Sequence, residues 1–401
     1  MKIIKDPVHG YVEVDDTTLH LLDSPPVQRL RYVRQLGFSY LVYPGANHTR
    51  FEHSLGTMHL AGMMCRQLGL GTDERRLVLS AAILHDIGHG PFSHAIEPLV
   101  VELTGEDHQQ IDNLLCSGVL AETLGNSGID PAEVGSMIRG KHCLSGIIQG
   151  DLDVDRMDYL MRDAHYTGVP YGTVDAHRLI QSSILTENGI VLEESGINAA
   201  ESLLIARTLM RPAVYFHHVS RIAASMLKYA LLAHQAAEDD SRVQDLARMD
   251  DATFLFTLHS SPSSIARDYI GRILRRDLYK RAVYVGKDQV SAEVRGKTGI
   301  QEGRALAEEI AARAGISPQE VLVDIPRFPT PMTMGVRVRN MHAYAGLEEV
   351  SPLVTTLNET RAQQWRLGVY APQDLRARVE AAATEVLHIK KTTKQDKLLV
   401  D

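Results

Sequence analysis

Two imidazoles and two carboxylates, His53, His85, Asp86 and Asp155, are the residues of this chain best suited to hold a divalent cation that activates water against a phosphate ester. Each stands in a distinctive stretch: His53 in RFEHSLG, the His85-Asp86 pair in HDIGHGPFSH, and Asp155 in DVDRMDYLMRDAHYTG. In a chain with 18 histidines an adjacent His-Asp pair is a weak signal by itself, and a hydrogen-bonded core histidine is the alternative at His53. Four positions in matching contexts favour the metal.

The elements that must position these groups follow from residue spacing. The apolar run ERRLVLSAAIL ahead of HDIGHG is helical in period, and the glycines and proline after it break the helix. His85 and Asp86 are therefore expected at a helix C-terminal edge opening into a cleft. Around Asp155, steps of about 100° per residue place Tyr159 near 40°, Asp163 near 80° and Arg156 near 100° from it, so one face carries a ligand, a phenol, a second carboxylate and a cation. Such a face fits a nucleotide lying along the helix, with phosphates near Asp155 and Arg156 and sugar hydroxyls near Asp163; a solvent-exposed polar face is the alternative. In IARTLMRPAVYFHH, Arg207, Arg211 and Tyr215 recur every four residues and share a face if the helix continues through Pro212. His89, His94 and His108 follow the His-Asp pair, and imidazole is suited to proton transfer near neutral pH. His108 is the first choice as general acid toward the departing oxygen, with His94 as a positioning or relay group.

Composition bounds the setting. A chain of 401 residues with 44% hydrophobic content has material for two or three globular domains. No segment approaches a membrane span, and MKIIKDPVHGYVEV lacks the uninterrupted apolar stretch of a signal peptide, so an intracellular, cytoplasmic protein is expected. The net charge of -8 argues against a general nucleic-acid binder, and the tail lysines Lys390, Lys391, Lys394 and Lys397 are read as a solvated terminus. Cys65, Cys116 and Cys143 are widely separated and are expected to be buried, reduced thiols.

From Ser24 to about Ala236 the apolar period is mostly helical, with a hairpin signal in ILTENGIVLEE that reads as a small insertion. A further helical stretch runs from about Asp250 to Arg276. Beyond it RAVYVG, EVLVDIP and MTMGVRVRN read as short strands around the helical QEGRALAEEIAARAG, and PQDLRARVEAAATEVLHI as a last helix. The expected architecture is mainly α: a helical core with an N-terminal extension over residues 1–236, then a smaller C-terminal helical and α+β region over 237–401.

Taken in order, DPVHGYVEV, DSPPVQRLRYVRQLG, YPGANHTRFEHSLG, HDIGHGPFSH, DVDRMDYLMRDAHYTG and RRDLYKRAVYVG resemble the HD-domain deoxynucleoside triphosphate triphosphohydrolases. The resemblance is to the sterile-alpha-motif and HD-domain branch, without its sterile-alpha-motif module, and it makes the helical region an HD-domain core. It implies hydrolysis of a dNTP substrate to deoxynucleoside and inorganic triphosphate by attack at the α-phosphorus. By matching position, His53, His85, Asp86 and Asp155 would bind the metal (manganese, iron, zinc or magnesium), and His94 and His108 would be catalytic. Arg50, also matched to the catalytic set, would hold the triphosphate with Arg156, Tyr159 and Arg207; Gln35, Leu36 and Asp163 would read the sugar 3′-hydroxyl, with Tyr215 against the sugar edge. Asp23, Gln28 and Arg31 match a guanine-reading trio, and Arg276 and Lys280 match phosphate contacts from a neighbouring subunit. A guanine nucleotide activator and a homo-oligomer, dimer or tetramer, are implied with them. An ordinary buried salt bridge between Asp23 and Arg31 explains two of these residues equally well.

Two other readings compete. One is an HD phosphohydrolase acting on another nucleotide or phosphate ester; the other is a noncatalytic nucleotide-sensing or nucleic-acid-binding protein that retains the fold. The full ligand set and the two candidate catalytic histidines favour an enzyme.

Overall fold

The computed structural model describes residues 2–105, 107–187, 189–238, 243–332, 335, 337–339 and 344–390. The chain opens on an antiparallel hairpin of strands β1 (Lys2–Asp6) and β2 (Gly10–Val14), ahead of the region read as helical from Ser24. Its turn closes because Asp6 Oδ1 accepts from the backbone N–H groups of Val8 at 2.9 Å and His9 at 2.8 Å, while Gly10 adopts φ +78°, a conformation open to glycine.

Helices α1 (Asp16–Leu22) and α2 (Pro25–Arg29) lead through 3-10 turns to α3 (Arg50–Gln67), α4 (Thr72–Leu84) and α5 (Ser93–Thr104). After the short α6 (Asp112–Leu115), α7 (Gly118–Asn126) and α8 (Pro131–Ile138) comes α9 (Val154–Thr167), started by Asp153, whose side chain accepts from Arg156 N. Then follow α10 (Ala176–Gln181), strands β3 (Ser183–Thr186) and β4 (Gly189–Glu193), and α11 (Ile197–Met210). Pro212, which lacks a backbone N–H, falls in a π-helical turn over Arg211–Tyr215. Beyond it lie α12 (His218–Gln235), α13 (Val243–Ala247), α14 (Asp251–His259) and α15 (Ser264–Leu274), then strands β5 (Lys280–Gly286), β6 (Leu322–Asp324), β7 (Arg337–Arg339), β8 (Tyr344–Gly346) and β9 (Arg366–Ala371). The protein is mainly α, and among the described residues no helix is long and apolar enough to cross a membrane.

Two compact units form, with interleaved segments in place of a single boundary after residue 236. The first comprises Met1–Tyr215, Val243–Phe254 and Met332–Leu357; the second comprises Phe216–Arg242, Leu255–Pro331 and Asn358–Asp401. The interleaving has a visible cause in the first unit: β4 pairs in parallel with β7, and β7 with β8, so the β3–β4 hairpin belongs to a four-stranded sheet and is no isolated insertion. Leu60, Ala61 and Met64 of α3 and Val78, Ala81 and Ile83 of α4 are buried in the core of this unit. Its helices approach closely at Gly56 of α3, where a Cβ would collide with the Asp158 carboxylate and the Arg162 guanidinium of α9.

In the second unit β5, β9 and β6 form an antiparallel sheet in that order, covered by helices Ile300–Ala314 and Arg376–Val386. Its core gathers Val283, Leu306, Ile310, Leu367, Val369 and Val379. The last helix begins at Arg376, four residues after the expected proline start, and the stretch after Asp250 divides into α14 and α15 around Pro262. Cys65 is buried as expected, but Cys116 and Cys143 are exposed, because they lie at a helix end and in a loop. Lys390 is exposed; Lys391, Lys394 and Lys397 lie outside the described residues.

Candidate metal centre and catalytic cleft

Three elements bring the four candidate ligands together. His53 projects from the first turn of α3, His85 caps the C-terminus of α4 with Asp86 just beyond it, and Asp155 sits in the first turn of α9. His53 Nδ1 donates to Asp158 Oδ2 at 2.7 Å, and His85 Nδ1 donates to the Ala82 carbonyl at 2.8 Å. Those bonds fix both Nδ1–H tautomers in the neutral rings and leave the Nε2 lone pairs facing each other at 3.3 Å. Asp155 Oδ1 lies 2.8 Å from His53 Nε2 and 3.7 Å from His85 Nε2, and Asp86 Oδ1 lies 3.4 Å from His85 Nε2. Opposed lone pairs flanked by carboxylates call for a cation between them. Without a cation the carboxylates draw a proton to this place instead: burial pulls the His53 imidazolium down, yet hydrogen bonds to Asp155 and Asp158 outweigh it and push the group up to about 10. Two nitrogens and two carboxylates suit a divalent transition metal.

Arg50 begins α3 beside this cluster. Its buried guanidinium donates to Asp86 Oδ2 at 2.8 Å and to Ser93 Oγ at 2.6 Å. Burial would raise the Asp86 carboxyl, but Arg50, followed by the neighbouring histidines, holds it well below the usual range. His89, Nε2 3.3 Å from Asp86 Oδ1, is kept neutral by burial and Arg50. His94, at the start of α5, keeps an edge open to solvent, while the protein packed around it and the Arg50 charge pull its imidazolium down to about 4. His108 pairs through Nδ1 with Glu97, and its ring stacks on His89 at 3.9 Å between centroids. Gly88 permits this approach, since a Cβ there would strike the His108 carbonyl. Glu97 is an addition to the sequence-derived set; its one signal is a position three residues after His94, on the same helical face.

Two turns farther along α9 the surroundings are polar in another way. Asp163, two turns along α9 from Asp155, accepts from His48 Nε2 at 2.7 Å and from the Tyr215 hydroxyl at 2.8 Å. The π-helical turn sets Tyr215, whose ring centroid is 6.1 Å from that of Tyr159. Tyr159 is in turn 6.4 Å from the His53 ring, and burial pushes its phenol up to about 12. Gln35 is buried and bonds through its backbone N–H to the His48 carbonyl at 3.1 Å, with half-buried Leu36 next to it. Gln35 Oε1 and His48 Nδ1 are buried polar atoms without a protein partner. His48 was not foreseen from sequence, since nothing in PGANHTR ties it to a residue 115 positions away. Arg156 folds back onto Asp153 and the Gly150 carbonyl, and Arg207 is half-buried on α11, close enough to act on the Tyr159 phenol.

The remaining candidates divide between the two units. Gln28 Nε2 donates to the Leu22 carbonyl at 2.7 Å; Arg31 Nε donates to Gln28 Oε1 at 2.8 Å and its guanidinium lies 3.5 Å from the Phe51 ring centroid. Asp23 and Arg31 are both exposed, so the buried Asp23–Arg31 salt bridge is not what forms. Arg29, between them, is an unforeseen anchor: it donates to the carbonyls of Ile87 at 2.8 Å and His89 at 2.6 Å and to that of Met249 at 3.0 Å. In the second unit Arg276 and Lys280 line a polar cleft of about 470 Å³ together with Arg281, Arg376 and Tyr284.

The region that carries all four candidate ligands, residues 50–163, matches the HD domain, and residues 174–398 match the HD associated region. The chain belongs to the HD-domain family, whose members are metal-dependent phosphohydrolases, in the group that carries this associated region. It is 35% identical over 379 residues to an uncharacterized protein of Methanocaldococcus jannaschii, across 93% of this chain and 80% of that one. It is 30% identical over 354 residues to the deoxynucleoside triphosphate triphosphohydrolase SAMHD1 of Gallus gallus, across 72% of this chain and 56% of the relative. The crystal structure of a phosphohydrolase from Bacteroides thetaiotaomicron is similar with a TM-score of 0.73 at 26% identity, over 93% of this chain and all of that one (100%).

Proposed function

We propose that this chain hydrolyses deoxynucleoside triphosphates to deoxynucleoside and inorganic triphosphate. The observation that carries the reading is the run of α9, which has the metal cluster at Asp155 and a second polar cluster at Asp163, joined there to Tyr215 and His48. Eight residues of α-helix span about 12 Å, a length that suits a nucleotide laid between phosphate and sugar subsites.

A divalent cation held by His53, His85, Asp86 and Asp155 (manganese, iron or zinc, with magnesium able to substitute) supplies Lewis-acid polarisation of phosphate and water when bound. The protein's own groups do the rest. Arg50 offers positive charge beside the reacting phosphate, and Arg207, with Arg156 once it exchanges Asp153 for substrate, holds the outer phosphates. Glu97 accepts from His108 Nδ1 and orients the ring, and His108 gives a proton to the departing 5′-oxygen. His94 is neutral near pH 7 and serves as a hydrogen-bonding relay. Asp163 has two occupied acceptor sites of about four on a carboxylate, which leaves room for a sugar 3′-hydroxyl, and the Tyr215 ring crowds the 2′ position.

Regulation follows from Asp23, Gln28 and Arg31, which offer a carboxylate, an amide and a guanidinium to a guanine edge, with Arg276 and Lys280 of a second copy on its phosphates. Arg29 then links α2 to the Ile87 and His89 carbonyls, so nucleotide binding at this helix is coupled to the catalytic loop. Chromatography of the initial products from each dNTP, with and without dGTP or GTP, tests this reading. Deoxynucleoside plus triphosphate supports it; dNMP plus pyrophosphate, or turnover of another phosphate ester alone, replaces it with a different phosphohydrolase activity.

A further inference from the structure

The N-terminal hairpin reaches the metal cluster through one carboxylate. Asp158, fully buried one turn after Asp155, accepts on Oδ2 from His53 Nδ1 at 2.7 Å and from Arg162 Nε at 2.9 Å. On Oδ1 it accepts from Arg162 NH2 at 2.9 Å and from His9 Nε2 at 2.6 Å. His9 belongs to the turn between β1 and β2, 149 positions away in sequence, and its side chain is only 7% exposed. The same turn supplies Asp6, whose Oδ2 accepts from Arg162 NH1 at 2.8 Å while its Oδ1 caps the backbone of the turn. The two turn residues thus grip both members of the Asp158–Arg162 pair.

We propose that His9, held by the Asp6 turn, is a positioning residue for the metal ligand His53, acting through Asp158. A carboxylate with four donors cannot rotate about its Cβ–Cγ bond without breaking several of them, so the direction of Oδ2, and with it the His53 tautomer and ring plane, is set partly by His9. Groups of this kind behind a ligand change metal affinity by about 10- to 100-fold. The hairpin lies outside both matched family regions, residues 50–163 and 174–398, and makes the ligand geometry depend on residues that precede the helical core.

The inference rests on the metal reading of the His53 cluster, and one titration separates the two. Metal-free protein is titrated with Co²⁺, followed by its visible d–d absorption and by competition with a chelator, with thermal unfolding measured on the same samples. His9→Ala and His9→Phe, the second keeping ring bulk without a donor, bind Co²⁺ about tenfold more weakly and with an altered spectrum. His9→Gln, whose amide can still donate, recovers most of the loss. Glu13→Ala, an exposed change on the same hairpin, binds like the unaltered chain. Unaltered Co²⁺ affinity and spectrum in folded His9→Phe would overturn the proposal alone; absence of Co²⁺ binding by the unaltered chain would overturn the metal reading and the proposal with it.

Discussion

The Tyr215 hydroxyl donates to Asp163 Oδ2 at 2.8 Å, which ties the π-helical turn after α11 to the sugar end of α9. On the proposed function this bond holds the phenol ring where a ribose 2′-hydroxyl would need space.

Tyr215→Ala is expected to raise GTP turnover relative to dGTP by about tenfold, the scale of one lost steric contact of 1–2 kcal/mol. Tyr215→Phe keeps the ring and should keep most of the discrimination. The readout is the ratio of kcat/KM for dGTP over GTP; equal ratios in the unaltered protein and Tyr215→Ala would remove Tyr215 from sugar selection.

His94 titrates against folding. Its folded value is depressed to about 4 by desolvation and Arg50, whereas an unfolded histidine titrates near about 6.5. The unfolded chain therefore binds the extra proton first, so this contribution to stability is full above about pH 6.5 and is lost as pH falls toward 4. Chemical denaturation across that window should show a smaller loss in His94→Gln than in the unaltered protein, and identical slopes would show that His94 is not held neutral by the fold.

Gly56→Ala places a methyl group where the Asp158 carboxylate and Arg162 guanidinium pack against α3. Overpacking of this kind costs about 1–3 kcal/mol, and here it also pushes on the group that orients His53. Calorimetry should give a lower Tm, and the same variant should hold metal less tightly; an unchanged Tm would mean that α3 and α9 can separate at this point at no cost.

Much of the helical architecture was legible because its signals are local. The end of α4 at His85 follows from an apolar period stopped by glycines and proline, and the shared face of α9 follows from steps of three and four residues. The contacts among Asp6, His9, Asp158 and Arg162 were not legible, because strand pairing and a buried carboxylate join residues about 150 positions apart without a periodic trace. His48 escaped notice for the same reason. Glu97 escaped because a carboxylate one turn from a histidine is common on any helix surface. The four-stranded sheet defeated a linear division of the chain, since β4 pairs with a strand beyond residue 330.

Arg31 bears on regulation. Its exposed guanidinium is oriented by Gln28 and Phe51 and touches none of the candidate metal ligands. Arg31→Ala should abolish acceleration of dATP hydrolysis by dGTP or GTP and any accompanying assembly, while metal content stays the same. Parallel sedimentation and rate titrations check this; an acceleration that survives the substitution would exclude the trio from activator binding.

On the proposed function, water attacks the α-phosphorus of a dNTP at the His53–His85–Asp86–Asp155 centre, and oxygen labelling follows that bond. With dGTP in H₂¹⁸O, mass spectrometry of the initial products should find one ¹⁸O in the inorganic triphosphate and none in deoxyguanosine, with both products absent for Asp155→Ala. Label in the deoxyguanosine 5′-hydroxyl, label in dGMP or orthophosphate as the main product, or undiminished turnover by Asp155→Ala would rule out α-phosphorus attack at this centre.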